Sequence, residues 1–323
     1  MSSCATDLDA LQGLERAKRA VARVLSAGSA SHALLLYGPE GAGKSRLADY
    51  LSQAWLCQNP REDGGPCGEC SVCASFGRGR AVDFQRIPPW GPASQIKLSA
   101  MHPVPGWEQD TDRPDIEFVL DFIRTRPLMA RHKVIVFERA ERLNYDTANC
   151  LLKTLEEPPE GVRLILTTSE FTRVSPTIRS RCLCLACELP ADQGVTSAQA
   201  DRTPVESVFG GSPGGVARVL ENREVYEDLL SLLEGAWQGP FGAAFRVAER
   251  CKAIADRLAK ALDLNAREAH TRTIEAVAAW AHSRAADRPY VLRSIAEAHR
   301  LVQGNANATL VYEKMFLDLL YHR

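Results

Sequence analysis

Two groups of residues in this 323-residue chain have types and spacing that could do chemistry. The first is Gly38-Pro39-Glu40-Gly41-Ala42-Gly43-Lys44-Ser45, which fits the pattern G-x-x-x-x-G-K-[ST]. Glycines at those places let backbone N–H groups turn inward around phosphate oxygens. Lys44 would reach the β- and γ-phosphates, and the Ser45 hydroxyl can sit on Mg²⁺. A helix starting there adds its positive end to the anion. The pattern predicts a site for ATP or ADP with Mg²⁺ built on Gly38, Gly41, Gly43, Lys44 and Ser45. The competing reading is a glycine-rich turn that binds nothing. The second group is Cys57, Cys67, Cys70 and Cys73, spaced C-x9-C-x2-C-x2-C. Close C-x2-C spacing suits four thiolates around a tetrahedral Zn²⁺, and four sulfurs leave no open position, so such a site is structural. Free or disulfide-bonded thiols are the alternative. Of the other six cysteines, Cys182, Cys184 and Cys187 read as small buried hydrophobes, and Cys4, Cys150 and Cys251 carry no signal.

Hydrolysis needs more than a phosphate loop. A P-loop ATPase places an acid at the end of a core strand for Mg²⁺ and, in many families, a neighbouring Glu for the attacking water. Here the strand reads Val134-Ile135-Val136-Phe137 and is followed by Glu138-Arg139-Ala140-Glu141. Glu138 stands where the metal-holding acid belongs. Arg139 stands where the water-activating Glu belongs, and a guanidinium cannot act as a base. If the register is shifted by a residue or two, Glu141 is the catalytic acid instead.

The elements that must position these residues follow from periodicity. Leu8 to Ala27 has apolar residues, among them Leu11, Leu14 and Val21, at helical spacing. Ala33 to Tyr37 is a short apolar run that stops at Gly38, as a buried parallel strand does. A helix is expected from Lys44 to about Cys57. Further strands are expected at Lys133–Phe137 and Arg163–Thr168, with a helix between them capped near Asp146 and stopped by Pro158-Pro159. Strands alternating with helices predict a mostly parallel α/β sheet. Pro88 to Pro114 reads as a long irregular loop. Composition shifts again between Leu189 and Pro204, and beyond about Glu221 the chain is Ala- and Leu-rich with helical period only, which predicts a helical bundle.

Composition narrows the function. A net charge of −1 lacks the basic surplus that a protein holding nucleic acid alone needs, so any DNA contact would be local or shared. The N-terminal segment has no charged region leading into an apolar run, and no stretch of 18 apolar residues occurs. No membrane partner is expected, and a cytoplasmic location with reduced thiols is.

Several segments then resemble one family. Asn149-Cys150-Leu151-Leu152-Lys153-Thr154-Leu155-Glu156-Glu157-Pro158-Pro159 resembles a signature segment of bacterial clamp-loader AAA+ subunits, and His32 to Pro39 resembles the approach to their phosphate loop. Four cysteines just after the P-loop helix resemble their zinc module. Thr177 to Cys182 matches their Ser-Arg-Cys motif, Gly210 to Gly215 resembles a lid-domain segment, and Asn305 to Leu320 is similar to their last helix. The resemblance implies an AAA+ P-loop α/β core with an inserted zinc module over 1–188. It further implies a small helical lid over 189–222 and an all-α collar over 223–323. It also implies that Arg181 is an arginine finger acting in trans on a neighbour's ATP, and that Thr168 lies near the sensor position. Partners would be gamma/tau and delta subunits in a hetero-pentamer that loads the sliding clamp on primed DNA. Within the family the eroded acidic pair, and Gly214 in place of a sensor arginine, resemble the delta prime branch, a part of the DNA polymerase III holoenzyme with little ATPase and no polymerase chemistry of its own. Two other readings remain: an ATP-hydrolysing gamma/tau-type subunit, and a stand-alone zinc-containing DNA-binding ATPase.

Overall fold

The computed structural model describes residue 8 and residues 14–26, 31–187, 203–209, 213–262, 264–285, 288–304 and 306–321. Cys4, Leu11, most of the composition shift at 189–204, Gly210 to Ser212 and Asn305 lie outside the described residues. The chain divides into two compact units, Met1–Asp192 and Gln193–Arg323.

The first unit is built on a parallel sheet of five strands. These are β1 (Ala33–Tyr37), β2 (Phe84–Ile87), β3 (Lys133–Phe137), β4 (Val162–Thr168) and β5 (Leu183–Ala186), in the order β2-β3-β4-β1-β5. Its helices are α1 (Glu15–Ser26), α2 (Lys44–Leu56), α3 (Ser71–Gly77), α4 (Val119–Arg124), α5 (Tyr145–Glu156) and α6 (Pro176–Arg181). The two-residue period of a strand sorts the apolar runs onto two faces. Leu34, Leu36, Val134, Val136 and Ile165 face Leu47, Leu51 and Trp55 of α2. Leu35, Ile135, Phe137, Leu164 and Leu166 face Leu151 and Leu155 of α5 and Ile178 of α6. Both faces are covered, so the strands read as unbroken apolar runs without alternation. Each fully buried leucine of β1 is worth ~1.5–3 kcal/mol by area burial.

Some boundaries differ from the sequence expectation. The first helix spans Glu15–Ser26, with the Leu14 carbonyl accepting its first bond from Lys18 N–H at 2.8 Å; Leu8 is outside it. The cap of α5 is Asn144, not Asp146. Its side chain accepts from the Thr147 N–H at 2.8 Å and the Thr147 hydroxyl at 2.6 Å, which sets the start of the helix at Tyr145. The strand expected at Arg163 begins at Val162. Strand β2 was not foreseen: Phe84-Gln85-Arg86-Ile87 is a short edge strand whose polar residues break the apolar run.

The 88–114 segment is irregular yet packed. Trp90, Ile96, Ala100 and Met101 are buried. Trp90 Nε1 and Lys97 Nζ both donate to the Asp110 carboxylate, at 2.9 and 2.7 Å. The Arg113 guanidinium lies 5.3 Å from the Trp107 ring and 4.6 Å from the Phe118 ring. Ile96 forms a parallel bridge to Leu143, so the loop braces the segment that follows β3.

Among its described residues the second unit contains helices and no strand. These are α7 (Pro204–Phe209), α8 (Pro213–Glu221), α9 (Arg223–Gln238), α10 (Ala244–Ala261), α11 (Ala266–Ala285), α12 (Pro289–Gln303) and α13 (Ala308–Tyr321). One core joins Val205 and Val219 to Leu229, Cys251, Trp280, Tyr312 and Phe316. No helix among the described residues is long and apolar enough to cross a membrane.

Candidate functional site

The phosphate loop leaves the carboxyl end of β1, between β4 and β5, which is where open α/β sheets gather ligands. Its glycines are there for backbone reasons. Gly41 and Gly43 have φ of 77° and 91°, the left-handed region that side chains avoid. A Cβ on Gly38 would lie 2.2 Å from the Cys187 carbonyl oxygen, so only glycine lets the loop pass the end of β5. Gly43 then starts α2, its carbonyl accepting from Leu47 N–H at 2.9 Å. Lys44 Nζ donates to the Gly38 and Pro39 carbonyls at 2.7 and 2.8 Å. Burial lowers the Lys44 pKa, opposed by Cys187, Glu40 and Glu141. Ser45 is exposed at the first turn of α2.

The acidic positions have ion-pair partners that no motif in the sequence marks. The Glu138 carboxylate is paired with the Arg86 guanidinium, which also pairs with Asp49 of α2. The Asp49 pKa is raised by burial, with the Arg86 charge acting against it. Arg139 has φ 55°, and its N–H donates to the Thr167 hydroxyl at 3.2 Å. Its Nε is 3.8 Å from Glu141, whose side chain is only 1% exposed. The Thr168 hydroxyl at the end of β4 donates to Glu141 at 2.6 Å and accepts from Glu170 N–H at 3.0 Å. So Glu141 is held by Thr168 and Arg139 on the same end of the sheet as the loop. Asp49 and Arg86 escaped the sequence reading. They stand 37 residues apart, and no motif links a polar residue of an edge strand to the second turn of a P-loop helix.

Arg181 ends α6. Its guanidinium pairs with Glu156 of α5 at 2.5 Å and donates to the Thr177 carbonyl at 3.2 Å, with about a third of the side chain exposed. The Ser-Arg-Cys segment and the segment ending in Glu156-Glu157-Pro158-Pro159 thus touch through a charged pair.

The cysteines Cys57, Cys67, Cys70 and Cys73 come together, with all four Sγ atoms within 4.8 Å of one another. Sγ separations of 3.5 Å (Cys57–Cys67), 4.0 Å (Cys57–Cys70) and 4.0 Å (Cys67–Cys73) exceed a disulfide bond of about 2.05 Å by far. They bracket the edge of about 3.8 Å that four thiolates at about 2.3 Å from Zn²⁺ would have. Backbone N–H groups of Cys67, Cys70 and Cys73 point at the sulfurs of Cys57, Cys67 and Cys70, at 3.4, 3.3 and 3.4 Å. Such donors favour the thiolate that a metal needs. Burial works to raise the Cys70 thiol, and N–H groups from Cys73 and Gln58 outweigh it, bringing it down to about 6. The donor set fits a tetrahedral metal. Cys57 follows the last residue of α2, so this site stands one 13-residue helix, roughly 20 Å, from the phosphate loop. That separation suits a structural metal. Cys187 and Cys251 are fully buried, Cys182 and Cys184 partly so, and among the described residues no other metal-holding group forms.

Residues 13–190 match the family model described as "DNA polymerase III, delta subunit". The chain is 35% identical over 214 residues to DNA polymerase III subunit delta' of Pseudomonas aeruginosa, covering 64% of this chain and 60% of that protein. It is 32% identical over 176 residues to DNA polymerase III subunit gamma of Buchnera aphidicola subsp. Acyrthosiphon pisum, covering 54% and 44%. It is 34% identical over 171 residues to DNA polymerase III subunit tau of Escherichia coli strain K12, covering 53% and 24%. The matched region spans 60% or less of the length of these relatives. The P-loop sheet and the matched residues lead to one conclusion: the chain belongs to the DNA polymerase III clamp-loader subunit family that this model describes.

Proposed function

We propose that this chain is a delta prime-type subunit of a bacterial replicative clamp loader. It would be a ring member that contributes an arginine to a neighbour's ATP site and turns over little ATP itself. The observation carrying this reading is the state of the acidic positions. Arg139 replaces the water-activating acid, Glu138 is paired with Arg86, and Arg181 at the end of α6 is retained. In this reading 1–188 is an AAA+ core, 189–222 a small lid and 223–323 a collar, and Cys57, Cys67, Cys70 and Cys73 hold a structural Zn²⁺. The loop Gly38–Ser45 binds ATP or ADP, with Thr168 beside it. The partners are gamma/tau and delta subunits in a cytoplasmic hetero-pentamer, and through them the sliding clamp and primed DNA. When bound, Zn²⁺ would cross-link the end of α2 to α3; no chemistry passes through it.

In trans, a guanidinium offsets charge developing on a transferring phosphate, and removing it costs about 10³–10⁵ in rate. The test is a reconstituted ring in which only the neighbouring site can hydrolyse ATP. Arg181→Ala should leave assembly intact and cut clamp-stimulated ATPase by about 10³. Unchanged turnover rejects the assignment. A second reading, an ATP-hydrolysing gamma/tau-type subunit, is favoured by the complete phosphate loop and by the likeness to gamma and tau relatives. Steady ATP hydrolysis by the isolated chain, lost in Lys44→Ala, would select it.

A further inference from the structure

In a P-loop site Mg²⁺ is held by the loop Ser or Thr and by an acid at the end of a core strand. In this chain that acid has another partner. Strands β2 and β3 are in parallel register, with Arg86 beside Val136 and Ile87 beside Phe137, and the Glu138 N–H donates to the Ile87 carbonyl at 2.9 Å. Val136 faces α2, so Arg86 and Glu138 emerge on that same face. Asp49, on the second turn of α2, meets them there. All three side chains are about 70% covered, and the guanidinium bridges both carboxylates. It also lies 5.7 Å from the Phe84 ring, which fixes its stem on the edge strand.

We infer that Arg86 has taken the Mg²⁺ position out of use, so that this nucleotide site binds its ligand by the loop amides and Lys44 without a metal requirement. Two effects combine. Freeing Glu138 for a metal breaks a charge-assisted bond inside a partly dry pocket. The guanidinium that remains would face the incoming dication with like charge. A three-residue ion cluster thereby makes the site indifferent to the metal, separately from the loss of the water-activating acid at Arg139. The inference rests on the reading that Gly38–Ser45 binds nucleotide.

The test measures the affinity of the zinc-replete full chain for fluorescent ADP and ATP analogues, in Mg²⁺-depleted buffer prepared without chelator and in millimolar Mg²⁺. The wild-type affinity should differ by less than about twofold between the two. Arg86→Met frees Glu138 and should gain at least about tenfold from Mg²⁺. Because that change leaves Asp49 half-buried and unpaired, the double variant Arg86→Met, Asp49→Leu is made beside it. Replacing a buried ion pair by apolar residues of similar volume commonly keeps the fold, and the same Mg²⁺ gain is expected. A wild type that already gains tenfold from Mg²⁺, or variants that gain nothing, overturns the role of Arg86 while leaving nucleotide binding in place. Absence of nucleotide binding in every protein under both conditions overturns the nucleotide reading, and this inference with it. Binding by the variants alone, and only with Mg²⁺, overturns the metal-independent binding inferred for the wild-type site.

Discussion

His132 shows how a single residue at the foot of the sheet couples stability to pH. Its Nδ1 is buried with no hydrogen-bond partner, and it precedes Lys133, the first residue of β3. Burial first, then the charges of Arg163 and Arg131, hold its pKa well below the ordinary 6.5, at about 4, with a backbone contact at Gly161 acting the other way. Between about 6.5 and about 4 the unfolded chain binds a proton that the folded chain refuses. Stability is therefore full above that window and falls as pH drops through it. His132→Gln should flatten the pH dependence of the urea midpoint across this window and leave the midpoint at pH 8 little changed. Equal slopes in both proteins would refute the assignment. Nothing in the sequence marks this histidine, because its shift comes first from burial and then from Arg163, and both arise only when β3 and β4 pair.

At the scale of elements, the segment from Cys57 to Gly77 carries the clearest expectation. Helix α3 has seven residues, too few to hold without tertiary support. Its cap is Cys70, whose sulfur accepts from Cys73 N–H at 3.4 Å, so one of the four thiols is also the helix cap. Gln58 ties the same segment to the loop before β3 through the Met129 carbonyl at 2.9 Å. Purified protein should carry one zinc per chain. Cys67→Ala should lose it and speed amide exchange in α3 by at least about tenfold, while β1, β3 and β4 keep their protection. Full zinc content in that variant, or no change in exchange, would count against a zinc module. The spacing of the four cysteines was enough to raise this expectation, since three of them lie within seven residues. The bracing of the post-β3 segment by Ile96 was not legible, because the 88–114 loop has no period and its contacts are side-chain specific.

For the whole molecule, each unit closes its own core. Among the described residues, the two clusters around the sheet draw only on residues before 188, and the helical cluster only on residues after 204. A fragment of residues 1–192 should therefore unfold in one cooperative transition and keep the nucleotide affinity of the full chain within about threefold. A fragment that stays unfolded would show that the second unit is needed for the first. By itself the amino-acid sequence determined the parallel α/β class, the phosphate loop, the four-cysteine group and the helical second half. Each of those is written in local spacing or in the period of apolar residues. Only the tertiary structure decided what the acidic residues do. Arg86, Asp49 and Glu138 are far apart in the chain and meet because β2 pairs with β3 beneath α2. Glu141 is sequestered because Thr168 ends the neighbouring strand. Charge pairing across strands has no period to read, so the cluster of Arg86, Asp49 and Glu138 appears only when the sheet is assembled.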